Sequence, residues 1–357
     1  MNRSRGLFLV ALLALSGCNL PLFNSFRRNP QVGPPIDAGT QPDTVEMNGV
    51  IESDWPLRGR LYNDVRVETD GTVGADFDVD VSPDGQDLVF ASNRHTANSK
   101  IWIKRGRQSG LTQKTSGNSR DIQPKFSPDG KRIAFSSNRF GNFDVMVVPS
   151  GNASGVMQLT SGDGDEIHPT WSPTGEQIAY CARQPGDKHW DIWIIELDGQ
   201  RRTRFGPGLY PEWSPDGKWL AFQRPSGRGK GWYGVWIVEV AGGAPREIAT
   251  YEDRAAIQPS WSPSSQELVY ATTSQANSDP SAPPRADNLW VVELDKGKKY
   301  QLTEHPAPDY SPAWGLDGRI YFTSYRGASP ALWSLKPVAP QTLMGDGDLF
   351  DTMGGNP

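Results

Sequence analysis

Four carboxylates recur at one position of this chain. Asp76, Asp121, Glu166 and Asp309 each stand three residues before a Pro-x-aromatic step or its equivalent, and Gly208 and Ala256 hold that position in two further copies. If the copies surround an axis, the acids converge on one opening and focus a negative field there. Asp163 and Asp165, in the stretch SGDGDE, add to it. Asp121, Asp163, Asp165 and Glu166 form a set of hard oxygen ligands that suits calcium, although only fragments of a calcium-loop spacing are present. The competing reading is a solvated acidic rim. His168 follows Glu166 by two residues, so a metal-dependent hydrolase or lyase at the same mouth is the alternative to a binding function. The four histidines, at 95, 168, 189 and 305, lack metal-pair spacing, and no Gly-x-Ser-x-Gly nucleophile elbow exists.

Two other groups could recognise a partner. Arg228, Trp232 and Tyr233 lie in the loop PSGRGKGWYG, and aromatics beside arginine are common interface anchors. Trp232 and Tyr233 could equally begin a strand and pack inward. The GRGKG string joins two strands rather than opening a helix, so it is no phosphate loop. Arginines also recur after a second strand, at Arg94, Arg139, Arg183, Arg224 and Arg326. They are expected to brace each unit against acids such as Asp144 and Asp191, which begin the next strand.

The elements that would position these residues repeat six times. A Ser-Pro-Asp-Gly signature or its equivalent begins at Ser82, Ser127, Ser172, Ser214, Ser262 and Gly315, at intervals of 42 to 53 residues. Periods of this size built from short strands indicate propeller blades. Within each unit, Pro-x-aromatic makes a first strand, and Ser-Pro-Asp-Gly makes a tight turn. A second strand alternates around Phe90, Phe135, Tyr180, Phe222, Tyr270 or Phe322. A third carries Trp102, Met146, Trp193, Trp236, Trp290 or Trp333. Both alternations are apolar, so each sheet must be covered on both faces, which a radial arrangement achieves. The expected fold is all-β, a six-bladed β-propeller of four-stranded antiparallel blades spanning residues 61–343. Closure falls either to an N-terminal strand, Val65–Thr69, or to Gln341–Leu343. Residues 344–357 form an acidic, Gly-rich tail.

These repeats resemble the TolB-like β-propeller family, marked by the string P-x-W-S-P-D-G-x-x-I-A-F, over roughly residues 75–338. Copies depart from it at Val79, Thr174, the Ser264-Ser265 pair and Gly315-Leu316. The resemblance implies the propeller fold; a role in the Tol–Pal envelope system is not carried over.

Ahead of the repeats, Arg3 and Arg5 precede an apolar run, Leu7 to Leu15. Nine helical residues rise about 14 Å, half of the ~30 Å a membrane span needs, so residues 1–17 read as a signal peptide. Leu15-Ser16-Gly17-Cys18 resembles the lipobox of bacterial lipoproteins, which implies cleavage before Cys18 and acylation of that residue. Asn19, by resemblance to sorted lipoproteins, favours the outer membrane. Residues 18–60 are proline-rich and read as a tether. Cys181, in the apolar run IAYCAR, is expected to be buried and inert.

Composition narrows the function. With 38 glycines and 30 prolines among 357 residues, turns are abundant. A net charge of −5 argues against nucleic acid, whose phosphates require a basic face. The expectation is a monomeric, non-catalytic propeller scaffold, lipid-anchored to the outer membrane and facing the periplasm. It would bind a protein or peptide of the envelope across Asp76, Asp121, Glu166, His168, Asp309, Arg228, Trp232 and Tyr233, with calcium as a possible cofactor.

Overall fold

A computed structural model describes residues 62–338 except 107–109, 153–154, 200, 227–232 and 275–286. Every described element is a strand. The chain opens with β1 (Tyr62–Val67). The first blade is β2 (Asp76–Val81), β3 (Leu88–Ser92), β4 (Lys100–Lys104) and β5 (Leu111–Gln113). The second is β6 (Asp121–Phe126), β7 (Arg132–Ser137), β8 (Asp144–Pro149) and β9 (Met157–Gln158). The third is β10 (Asp165–Trp171), β11 (Gln177–Arg183), β12 (Asp191–Glu196) and β13 (Arg202–Pro207). The fourth is β14 (Leu209–Trp213), β15 (Trp219–Pro225), β16 (Tyr233–Glu239) and β17 (Arg246–Ala249). The fifth is β18 (Arg254–Trp261), β19 (Glu267–Ser274), β20 (Leu289–Glu293) and β21 (Lys299–Gln301). The sixth takes β22 (Asp309–Trp314), β23 (Ile320–Ser324) and β24 (Ala331–Pro337), with β1 outermost. Each sheet is four-stranded and antiparallel, so the fold is a six-bladed β-propeller.

The turns between the first and second strands explain why the signature repeats. Ser127 Oγ donates to Asp129 and accepts the Arg132 amide at 2.9 Å, while Gly130 takes φ 68°. Where the sequence departs from Asp, the bond survives: Ser172 meets Thr174 at 3.1 Å, and Ser262 meets Ser264 at 3.0 Å.

The second-strand aromatic directly faces a third-strand tryptophan in five blades, from Phe90–Trp102 to Phe322–Trp333, and in the second blade Phe135 faces Met146. Six apolar clusters each join one blade to the next. One packs Val89, Ile101 and Ile103 against Phe126, Phe135 and Met146; another packs Ala313, Tyr321 and Leu332 against Val79, Phe90 and Trp102, closing the ring. Each sheet is thus covered on both faces, as the doubled alternation requires.

The N-terminal strand performs the closure. The Leu332 amide donates to Thr69 Oγ1 at 3.0 Å, as Val145 does to Thr160 at 2.9 Å and Leu289 to Thr303 at 3.0 Å. Thr69 therefore occupies, from the other end of the chain, the place of the threonine that follows the fourth strand. Gln341–Leu343, the signal peptide, Cys18, the tether and the tail lie outside the described residues.

Candidate functional site: the polar channel

The innermost strands β2, β6, β10, β14, β18 and β22 surround the axis, each with one edge free. Proline, which lacks an amide hydrogen, is tolerated at such an edge. Just before it, Asp78, Gln123, His168, Tyr210, Gln258 and Ser311 all take positive φ, between 48° and 56°. The pairing register of every innermost strand shifts at this step, so the residue forms a bulge. The left-handed turn swings the amide sideways toward the neighbouring blade, where a side chain accepts it. The Gln123 amide donates to the Asp78 carboxylate. The His168 amide donates to Gln123 Oε1 at 3.0 Å and the Tyr210 amide to the Cys181 thiol. The Gln258 amide reaches Gln223 Oε1 at 2.9 Å, and the Ser311 amide reaches Gln258 Oε1 at 3.0 Å. Ser311 Oγ then meets Asp78 Oδ1 at 3.4 Å, completing a belt around the channel.

Two residues further along the strands, toward the Ser-Pro-Asp-Gly turns, a second ring holds Asp80, Lys125, Thr170, Glu212 and Ser260. Lys125 Nζ lies 2.8 Å from Glu212 Oε1 and 3.6 Å from Asp80 Oδ1. Because Lys125 and Glu212 belong to the second and fourth blades, this ion pair spans the channel and forms a floor. Burial opposes the ammonium, yet Glu212 and Asp80 outweigh it and hold Lys125 above its ordinary pKa. Burial also raises Asp78, Asp80 and Glu212, against the pull of nearby cations.

Between belt and floor lies a cavity of about 70 Å³ lined by the belt residues, by Lys125 and Glu212, and by Val79 and the prolines between them. His168 is its conspicuous wall. The ring stacks on Tyr210 with centroids 3.6 Å apart, and neither Nδ1 nor Nε2 has a partner although the residue is only 8 % exposed. Burial first, and the Lys125 charge second, depress its pKa to about 3. The imidazole is neutral at physiological pH, with one donor and one acceptor unused.

The acids three residues before the proline do not line this channel. Asp76, Asp121 and Asp309 are fully buried within the blades. Asp76 is bound by Arg94, Asp309 by Arg326 at 2.8 Å, and Asp121 by Ser137, with Arg139 at 3.4 Å and the buried Lys100 at 3.8 Å. The bulge is the reason: it breaks the two-residue alternation, so the acid turns into the blade while the bulge residue takes the channel. Glu166, 1 % exposed, instead faces Asp144. Burial, then the bond to Asp144 and its charge, raise Glu166 to about 7.

The set Asp121, Asp163, Asp165 and Glu166 does not converge. Asp163 is exposed, Asp165 lies 3.6 Å from Arg183, and among the described residues no three acidic, histidine or cysteine side chains cluster as metal ligands. Four of the recurring arginines brace the blades against acids of the first strand and not the third; Arg224 instead lies over Trp236 at 3.7 Å. Arg94 also stacks on Trp102 at 5.4 Å and Arg326 on Trp333 at 5.2 Å. Asp191 binds Arg204 through two 2.8 Å bonds, and Asp144 accepts from Gln158 at 3.1 Å. Tyr233 begins β16 half-buried and packs against two of the apolar clusters. Arg228 and Trp232 lie outside the described residues. Cys181 is fully buried, and burial pushes its thiol pKa up.

Of the predicted mouth residues among the described residues, only His168 lines the channel cavity. A signal for the others was present: read one residue before each proline or its equivalent, the column is Asp, Gln, His, Tyr, Gln, Ser, polar in all six copies.

Comparison with known proteins agrees with this architecture. Residues 66–204 match the family described as PD40, the TolB beta propeller domain. No curated protein matches the chain. Among solved structures, a putative TolB from Agrobacterium tumefaciens is similar, with TM-score 0.54 and 22% identity over 74% of this chain and 91% of that one. TolB from Acinetobacter baumannii gives TM-score 0.56 and 16% identity over 76% of this chain, which spans 65% of that protein's length. An oligogalacturonate lyase from Vibrio parahaemolyticus gives TM-score 0.53 and 12% identity over 76% of this chain and 93% of that one. At these identities the structural likeness concerns the fold alone. Residues 66–204 thus carry repeats similar to those of the TolB beta propeller domain, set within a six-bladed ring.

Proposed function

We propose that this chain is a non-catalytic binding propeller that receives part of an envelope protein or peptide at the mouth of its channel. Lipid on Cys18 would tether it to the outer membrane, facing the periplasm. The observation that carries the binding function is the state of the channel's side chains. Lys125 is held between two carboxylates, and His168 is a neutral imidazole with a pKa near 3 and no acid oriented on it. A general base works best with a pKa near the working pH, so this histidine is suited to accepting a hydrogen bond and poorly suited to moving a proton. The lipobox residues support the anchoring, and two acyl chains would hold where one binds only reversibly.

The test is photocrosslinking in intact cells from a reactive residue placed at Ser311, beside the channel, against the same residue at the exposed outer-edge Val67. The expected result is one dominant adduct from position 311 that is absent from position 67. Equal adducts from both, or none from 311, would overturn the binding function. Replacing Cys18 with Ala should release the protein to the soluble envelope fraction and abolish palmitate labelling; retention with the membrane would overturn the anchoring.

A further inference from the structure

We infer that the channel cavity receives a single cationic head group, an ammonium or guanidinium on a slim aliphatic stem, from the partner. This rests on the binding function proposed above and names the chemistry of what enters. Three observations converge on the same cavity. The first is charge: Asp78 and Glu212 line it with Lys125 as the one lining cation, while Arg120, which acts on Asp78, is exposed. Lys125 is already bound by Asp80 and Glu212. Asp78 has only neutral direct partners, the Gln123 amide and the Ser311 hydroxyl. A carboxylate out of bulk water gains most from a cation brought directly to it.

The second observation is His168. Its imidazole is more than nine-tenths buried on the cavity wall and leaves both nitrogens unpartnered, a cost that native structures rarely leave uncompensated. A neutral imidazole offers a lone pair to an N–H donor, and ammonium and guanidinium groups are donors without acceptors. The third is shape. A space of about 70 Å³ between a hydrogen-bonded belt and an ion-pair floor admits the end of one side chain, and Tyr210 presents an aromatic ring beside it. A cation seated there would complete Asp78 and His168 together.

The test needs no envelope partner, so its failure is separable from failure of the crosslinking. With only four histidines, at 95, 168, 189 and 305, the His168 imidazole resonances of the full chain can be assigned by comparison with His168→Asn. The probes are blocked tripeptides Gly-Arg-Gly and Gly-Lys-Gly, the neutral citrulline analogue, free putrescine, and calcium or manganese ions alone. Saturable shifts of His168 with the arginine or lysine peptide and not with citrulline support the site. Binding about tenfold weaker in Asp78→Asn, with an unchanged melting temperature, supports it further, that being the loss of one charge-assisted bond. Saturation by putrescine at concentrations where the peptides do nothing would overturn a peptide source and leave a free amine as the ligand. Equal response to citrulline, no response at tens of millimolar, or displacement of the peptides by divalent metal alone would overturn the proposal.

Discussion

Asp76 and Asp78 stand two residues apart on one strand and do opposite work. The first is fully buried in its blade and bound by Arg94, and its counterparts Asp121 and Asp309 repeat that arrangement. The second, with Gln123, His168, Tyr210, Gln258 and Ser311, lines the channel and takes five residue types in six blades. The difference teaches where this fold keeps its constancy and where it allows variation. A buried carboxylate must keep its cation, because an orphaned charge costs several kcal/mol, so Asp76, Asp121 and Asp309 keep theirs, whereas the fourth blade has Gly208 there and its Arg224 lies over Trp236. A channel position meets water, a neighbour's side chain or a ligand, so any polar residue serves.

Four substitutions or deletions bear on that contrast, in falling order of effect. A chain lacking residues 1–74 loses β1 and Thr69 and leaves β24 as an open edge. Its thermal transition should drop by more than about 10 °C or lose cooperativity, as scanning calorimetry would show. Asp121→Ala strands Lys100 and Arg139 without their carboxylate. Denaturant unfolding should show a loss of about 3–5 kcal/mol, and a loss under 1 kcal/mol would show that the buried acid is no brace.

Glu166, inside its blade, gives a pH signature near neutrality. Its folded pKa of about 7 lies above the ordinary 4.5, so from pH 4.5 to 7 the folded chain keeps a proton that the unfolded chain has released. The raised acid therefore subtracts stability as pH rises through that window, and the penalty is complete above it. Glu166→Gln should melt a few degrees higher than the parent at pH 8 and within about 1 °C at pH 5, on the scale of ~2–4 °C per kcal/mol. Equal curves at both pH values would mean the pair with Asp144 is not formed.

The smallest effect belongs to the channel. His168→Asn keeps a residue that tolerates positive φ and removes two unpartnered nitrogens, so stability should change by no more than about 1 kcal/mol. A larger loss, measured by urea unfolding, would turn the imidazole from a ligand group into a structural one.

Much of the fold was legible because each blade repeats the same solution. The cross-strand aromatic pairs, the Ser-x-Asp turn bonds and the spacing of Thr69 all appear as periodic letters, and periodicity survives without coordinates. The site was less legible. Counting three residues back from the proline assumes a regular strand, and the six left-handed residues break that alternation, which places Asp121 and Glu166 inside the blades. Nor does spacing reveal that Arg139 turns to Asp121 on the first strand when Asp144 begins the third.

The sequence by itself determined the number of blades and the two-faced burial of each sheet, and it narrowed ring closure to two candidate strands, because hydrophobic alternation and turn chemistry are local and repeat. Only the tertiary structure decided which polar residues meet at the axis. Asp78, His168 and Glu212 come from three different blades, and their approach follows from ring closure and from the bulge in each inner strand, neither of which any single repeat contains.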